Sequence, residues 1–258
     1  MILLDWVGRG LARWLSKPRP AARRVATSVP EAIASVLRPG DVLLVEGSSR
    51  ISSAIKYLTQ SSWSHSALCI APPDPGADPE REPPILLEAD VNEGVRLVPL
   101  SRYTTQHTRI CRPVGLSDAQ IGAVIQHAIA RVGHRYDMKN IWDLARYLIP
   151  HPPVPSKWRR RLLALGSGDP TRAICSSLIA EAFHEVGYPI LPDLRLLVEE
   201  GGRDEAREVL HIRHHSLFAP RDFDVSPYFR IVKPTLEAGF DPARLRLVRS
   251  NAAPGDAA

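Results

Sequence analysis

The sequence predicts an α+β fold on three observations. Short apolar runs bounded by turn residues crowd the first half of the chain, and apolar residues at helical spacing dominate the stretch from 117 to 187. At 258 residues, 44% hydrophobic and 24% charged, the chain also has the length and composition to bury a full core. No internal repeat is present. One main domain is expected over 37–235, preceded by an amphipathic helix and basic linker (1–36) and followed by a tail (236–258).

The N-terminal segment "MILLDWVGRGLARWLS" places Leu3, Trp6, Val7, Leu11, Trp14 and Leu15 on one side of a helix. Asp5, Arg9, Arg13 and Ser16 fall on the other side, and a basic, proline-containing "KPRPAARR" follows. Such a helix suits the headgroup layer of a membrane, and equally suits packing onto its own domain or a partner. The segment lacks the basic start and continuous apolar stretch of a secretory signal, and no apolar run reaches membrane-spanning length.

Strands come next. Val42 to Val45 is an apolar run after a Pro-Gly-Asp turn, and "SHSALCIA" (64–71) is a second. The loop "PPDPGADPEREPP" (72–84) is too polar and proline-rich to form an element. "ILLEA" (85–89) and "GVRLVPL" (94–100) form a pair joined by a short loop, and "TRICRP" (108–113) is a fifth strand. Ser117 opens a helix with Gln120 completing a capping box, and Ile121, Val124, Ile125, Ala128 and Val132 form its inward stripe. A further helix is expected over 137–148, ended by "IPHPPVPSKWRRRLLALGSGDP" (149–170), which has the look of an insertion. Leu178, Ile179, Ala182, Phe183 and Val186 then mark a buried helix that stops at Gly187. After a polar, arginine-rich stretch, "SPYFRIVKP" (226–234) is a late strand, and "SNAAPGDAA" is too polar and small to order itself.

The net charge of +5 and pI near 9.3 come mainly from arginine. That balance favours anionic surfaces in general, but no zinc-finger spacing, glycine-rich phosphate loop or RNA-binding aromatic motif accompanies it, so nucleic acid is not an expected partner. Cys69, Cys111 and Cys175 are odd in number and widely spaced, which implies no disulfide framework and fits a reducing compartment. The expected location is cytoplasmic, with attachment to the inner face of the membrane through residues 2–24 as the extension of that reading.

Cys175 lies in the first turn of the buried helix, where outward N–H groups and the helix dipole favour a thiolate. The competing reading is a small hydrophobe packed at a helix start. His65 alternates with Ala67 and Cys69 on one face of its strand, as a general base or as a half-buried, hydrogen-bonded side chain. Glu88 interrupts an apolar run, where a carboxylate needs a partner: an arginine, or an imidazole whose tautomer it fixes. His211, His214 and His215 in "HIRHH" have ligand-like spacing, but no carboxylate or cysteine is adjacent, so neither a metal nor another cofactor is expected.

Taken in order, "GDVLLV", "SHSALCI", "LLEAD…GV", the pair "RYD" and "ICSSLIAEAF" resemble the permuted papain-like cysteine amidases. These form the YiiX/YaeF-like branch of the NlpC superfamily, related to lecithin–retinol acyltransferase. The resemblance runs from about Pro39 to about Pro234, and His65 precedes Cys175 as the permutation requires. It implies a permuted papain-like fold, an antiparallel sheet or small barrel packed against helices. It also implies Cys175 as nucleophile, His65 as general base and acid, and Glu88 as orienter. Tyr136 of "RYD" would line the pocket or pack as a core aromatic. Many relatives read Cys-Ser-Glu-Leu where this chain has Cys175-Ser176-Ser177-Leu178. The implied activity is hydrolysis of an amide or ester acyl bond through a thioester, amidase- or peptidase-like. The alternatives are acyl-lipid hydrolysis or transfer at a membrane surface, and a non-catalytic membrane-associated binding protein.

Overall fold

A computed structural model of the chain describes residues 30–74, 82–90, 93–103, 105–134, 174–197, 207–211, 214–215, 218–237 and 239. The amphipathic segment 2–15, the helix expected over 137–148, the 149–170 insertion and Tyr136 lie outside the described residues.

Six antiparallel strands make the main sheet: β1 (Val42–Val45), β2 (His65–Cys69), β3 (Leu86–Asp90), β4 (Gly94–Val98), β5 (Thr108–Pro113) and β8 (Phe229–Val232), in the order β4-β3-β2-β1-β5-β8. Every residue of β1 is buried, because β1 sits in the middle of the sheet with side chains covered on both faces. Two strands not anticipated from the sequence, β6 (Asp193–Leu197) and β7 (Arg207–His211), pair separately as a two-stranded ladder.

Strand alternation divides the core into two layers. Val42, Leu44, Leu68, Leu87 and Ala89 point to one face, where they meet α3 (Asp118–Ile129) and α4 (Ile174–Glu185). Leu43, Val45, Ala67, Cys69 and Leu86 point to the other, where Ile33 of α1 (Pro30–Val36) packs with Leu37. Ile33 of this helix therefore belongs to the core. Ser117 and Gln120 form the expected capping box of α3. Its inward stripe is narrower than the spacing suggested: Val124, Ile125 and Ala128 are buried, while Val132 lies beyond the helix and is 39% exposed.

Helix α4 buries Leu178, Ile179, Ala182 and Phe183 between α3 and the sheet. Each large side chain so buried contributes about 1.5–3 kcal/mol of transfer free energy, which holds the first turn of α4 firmly over β2. Beyond its end Gly187 has φ 68°, a left-handed backbone that glycine adopts without strain, and its N–H donates to the His184 carbonyl. A second helix not anticipated, α2 (Arg50–Thr59), is N-capped by Ser49 and sits between β1 and β2 in the chain.

Candidate active site

His65 is the first residue of β2, and the segment leading to it is braced on several sides. Trp63 is buried and donates through Nε1 to Asp224 Oδ2 at 2.9 Å, while Arg109 holds the other oxygen of Asp224 at 2.6 Å. Ser64 donates its N–H to the Val45 carbonyl and accepts the Gly47 N–H on its hydroxyl at 2.9 Å. The imidazole thus leaves a fixed backbone at the sheet end.

Glu88 lies on β3, on the same face as Ala67 and Cys69. It is 2% exposed, so its charge must be met within the protein. The sequence offered an arginine or an imidazole as partner, and the structure supplies both. Oε2 faces His65 Nε2 at 2.6 Å and also accepts the Tyr103 hydroxyl. Oε1 accepts Arg96 Nε at 2.9 Å and lies 3.4 Å from Arg102 Nε. Burial works against the carboxylate, but the His65 bond and charge, then Tyr103 and Arg102, outweigh it and bring the Glu88 pKa down to about 2. An ionised Glu88 on Nε2 fixes a proton there and leaves Nδ1 as the nitrogen that can serve Cys175.

Cys175 is the second residue of α4, in its first turn as the sequence indicated, and is buried with a free thiol. Its sulfur lies 3.9 Å from Ser176 Oγ. Burial pushes the thiol up, but the charge and hydrogen bond of His65, followed by the side chain and backbone of Ser66, lower it to about 7. On His65, burial opposes the imidazolium and is outweighed by Tyr103, the Cys175 sulfur and Glu88, so the ring titrates well above its ordinary value. The two groups therefore favour a thiolate–imidazolium pair near neutral pH. The other cysteines behave oppositely: burial leads in pushing Cys69 up to about 12 and Cys111 likewise upward.

The sheet itself makes room for the encounter. β2 and β3 pair only at Leu68↔Leu87 and Cys69↔Leu86, and the pairing stops before it reaches His65. Helix α4 covers one face of the sheet and Glu88 sits on the other, so the imidazole reaches Cys175 at the end where the two strands part.

Two contributors were not singled out from the sequence. Arg96 was legible in principle, since "GVRLV" places a cation within an apolar strand, and the register sets it directly opposite Glu88. Tyr103, at the end of the 3₁₀ turn Leu100–Tyr103, carried no such signal; its ring lies 5.8 Å from that of His65. The hydroxyl is held up at about 12 by burial first, with Glu88 adding to it, and so remains a donor. Of the HIRHH histidines, the rings of His214 and His215 lie 4.2 Å apart, and among the described residues no group of three or more ligands could hold a metal ion.

A thiol at a helix start, an imidazole from a neighbouring strand and a carboxylate behind it stand together on an α+β scaffold, with histidine before cysteine as in a permuted papain-like chain. Residues 36–148 match the model of the permuted papain-like amidase enzyme family, YaeF/YiiX, C92. The match includes His65 and Glu88 and ends before Cys175. Among solved structures, the chain is similar to the crystal structure of metalloprotein yiiX from Escherichia coli O157:H7, at 15% identity over 76% of this chain and 96% of that one, with a TM-score of 0.40. No curated protein matches the chain.

Proposed function

We propose that the chain cleaves an amide acyl bond, peptide-like in character, through a thioester on Cys175. His65 holds the thiolate ready as its imidazolium partner, and the sulfur attacks the acyl carbon. The N–H groups of the first turn of α4, that of Cys175 among them, receive the negative oxygen that forms. The carbon–nitrogen bond breaks as His65 gives its proton to the departing amine. Neutral His65 then takes a proton from water, whose oxygen attacks the thioester and returns the sulfur as thiolate. Glu88 keeps the ring in the tautomer and direction that both halves need. The observation that carries this reading is the 2.6 Å contact between Glu88 and His65 Nε2, together with a thiol that the same His65 helps lower to about 7.

Mass spectrometry of the protein after incubation with cell extract tests it. A covalent acyl adduct is expected on Cys175, and none on a Cys175→Ala protein. Iodoacetamide near neutral pH should label Cys175 far faster than Cys69 or Cys111, and equal rates for the three thiols in the folded protein would overturn the assignment. An acyl group of lipid rather than peptide origin would favour the second reading, acyl-lipid hydrolysis or transfer at a membrane surface. That reading draws on the amphipathic segment 2–15 and on "KWRRRLLAL".

A further inference from the structure

Ser66 is fully buried directly after His65, and the backbone geometry gives it an unusual freedom. In an antiparallel ladder successive N–H groups point to opposite neighbours. Cys69 N–H donates to the Asp41 carbonyl, on the β1 side, so alternation turns the N–H of Ser66 toward β3. The β2–β3 pairing has ended by then, at Leu68↔Leu87, and no ladder pair with β3 extends to Ser66. The backbone and the side chain of Ser66 both favour the anion of the Cys175 sulfur. Behind it, the Ser66 hydroxyl lies 3.1 Å from the hydroxyl of Ser176, itself fully buried, while Ser176 Oγ lies 3.9 Å from Cys175 Sγ. One arrangement that satisfies these groups has Ser176 donating to Ser66 and Ser66 donating to the sulfur.

We propose that Ser66 is a positioning residue for the nucleophile, its N–H and O–H together forming a cradle that holds the Cys175 thiolate, with Ser176 fixing the direction of the hydroxyl. The inference rests on Cys175 being the nucleophile, as proposed above. The opened end of the β2–β3 ladder then has a purpose beyond admitting the imidazole: it frees a backbone donor for the sulfur. Donors on a thiolate are charge-assisted and count for more than the same bonds to a neutral thiol. When the thioester forms, the sulfur loses its charge and the cradle weakens, which favours return of the thiolate as leaving group in the second half of the reaction.

The test is the pH dependence of iodoacetamide alkylation at Cys175 in the full chain, followed by peptide mass spectrometry, with circular dichroism as a check on folding. Wild-type protein should show a midpoint near pH 7. Ser66→Ala should move it up by about one pH unit, the size of one charge-assisted donor, while the remaining N–H prevents a full return to an ordinary thiol. Ser66→Thr, which restores the hydroxyl, should bring the midpoint back. A folded Ser66→Ala protein with an unmoved midpoint would overturn the cradle and leave Cys175 as nucleophile untouched. A wild-type midpoint in the ordinary thiol range would instead sink the nucleophile itself. If Ser66→Ala does not fold, Ser176→Ala decides: a smaller upward shift supports the cradle, and no shift overturns it.

Discussion

Tyr103 and His65 both donate to Oε2 of Glu88, so the orientation of the imidazole depends on a hydroxyl that shares its acceptor. Tyr103→Phe keeps the ring beside His65 and removes only that donor. Turnover on a validated substrate should fall several-fold, less than with Glu88→Gln, which should in turn leave more activity than Cys175→Ala. Glu88 also makes a statement about stability. Its folded pKa is depressed from 4.5 to about 2, so its contribution is fully present above 4.5 and is lost as pH falls toward 2. Urea unfolding at pH 6, 4.5 and 3 should therefore show a steeper acid loss in wild type than in Glu88→Gln. Equal slopes would mean that the carboxylate is not held ionised. The sequence made Glu88 conspicuous because a charge in an apolar strand demands a partner. It could not reveal that one oxygen serves the imidazole and the other two arginines, since that division depends on strand register and on a 3₁₀ turn with no pattern of its own.

Among the elements, α2 illustrates what periodicity leaves out. Its sequence "RISSAIKYLT" mixes serines into the apolar spacing, and serine competes for the backbone in non-helical conformations. Here the serines act at the helix start instead: Ser49 caps through its hydroxyl, which lies 2.8 Å from that of Ser52. The loop before them passes so close to both α2 and β2 that only glycine fits. A Cβ on Gly47 would fall 2.3 Å from Ser52 Oγ and 2.9 Å from Ser64 Oγ, and both hydroxyls are already engaged. Gly47→Ala should cost about 1–3 kcal/mol by this overpacking, read as a lower urea midpoint. It should also lower activity, because the displaced Ser64 adjoins His65; an unchanged midpoint with unchanged activity would show the loop to be slack. The strands of the main sheet were readable because each is a short apolar run between turns. The β6–β7 pair was hidden because Asp193, Arg195, Arg207, Glu208 and His211 break up its apolar residues within a polar, arginine-rich stretch.

At the scale of the molecule, the order of motifs carried more than any one of them, because a permuted chain must deliver histidine and carboxylate from the sheet before the cysteine helix arrives. What order could not supply was the relation of the N-terminal segment to the rest, since an amphipathic face fits a membrane and a protein surface alike. We expect residues 2–15 to bring the enzyme to an anionic membrane. Trp6 and Trp14 suit the headgroup boundary, Arg9 and Arg13 carry positive charge within the same segment, and Lys17, Arg19, Arg23 and Arg24 follow. Each basic residue near such a surface contributes about 1 kcal/mol, so the basic stretch should matter and added salt should weaken attachment. Among the described residues no helix is long and apolar enough to cross a membrane, so this expectation concerns surface attachment alone. Co-sedimentation with anionic vesicles should pellet the full-length chain at low salt and leave a chain beginning at residue 25 in solution, folded. If the shortened chain unfolds, the apolar face is packing against the domain. If both chains stay folded and neither pellets, attachment is wrong and a peptide-like amide is the stronger choice of substrate.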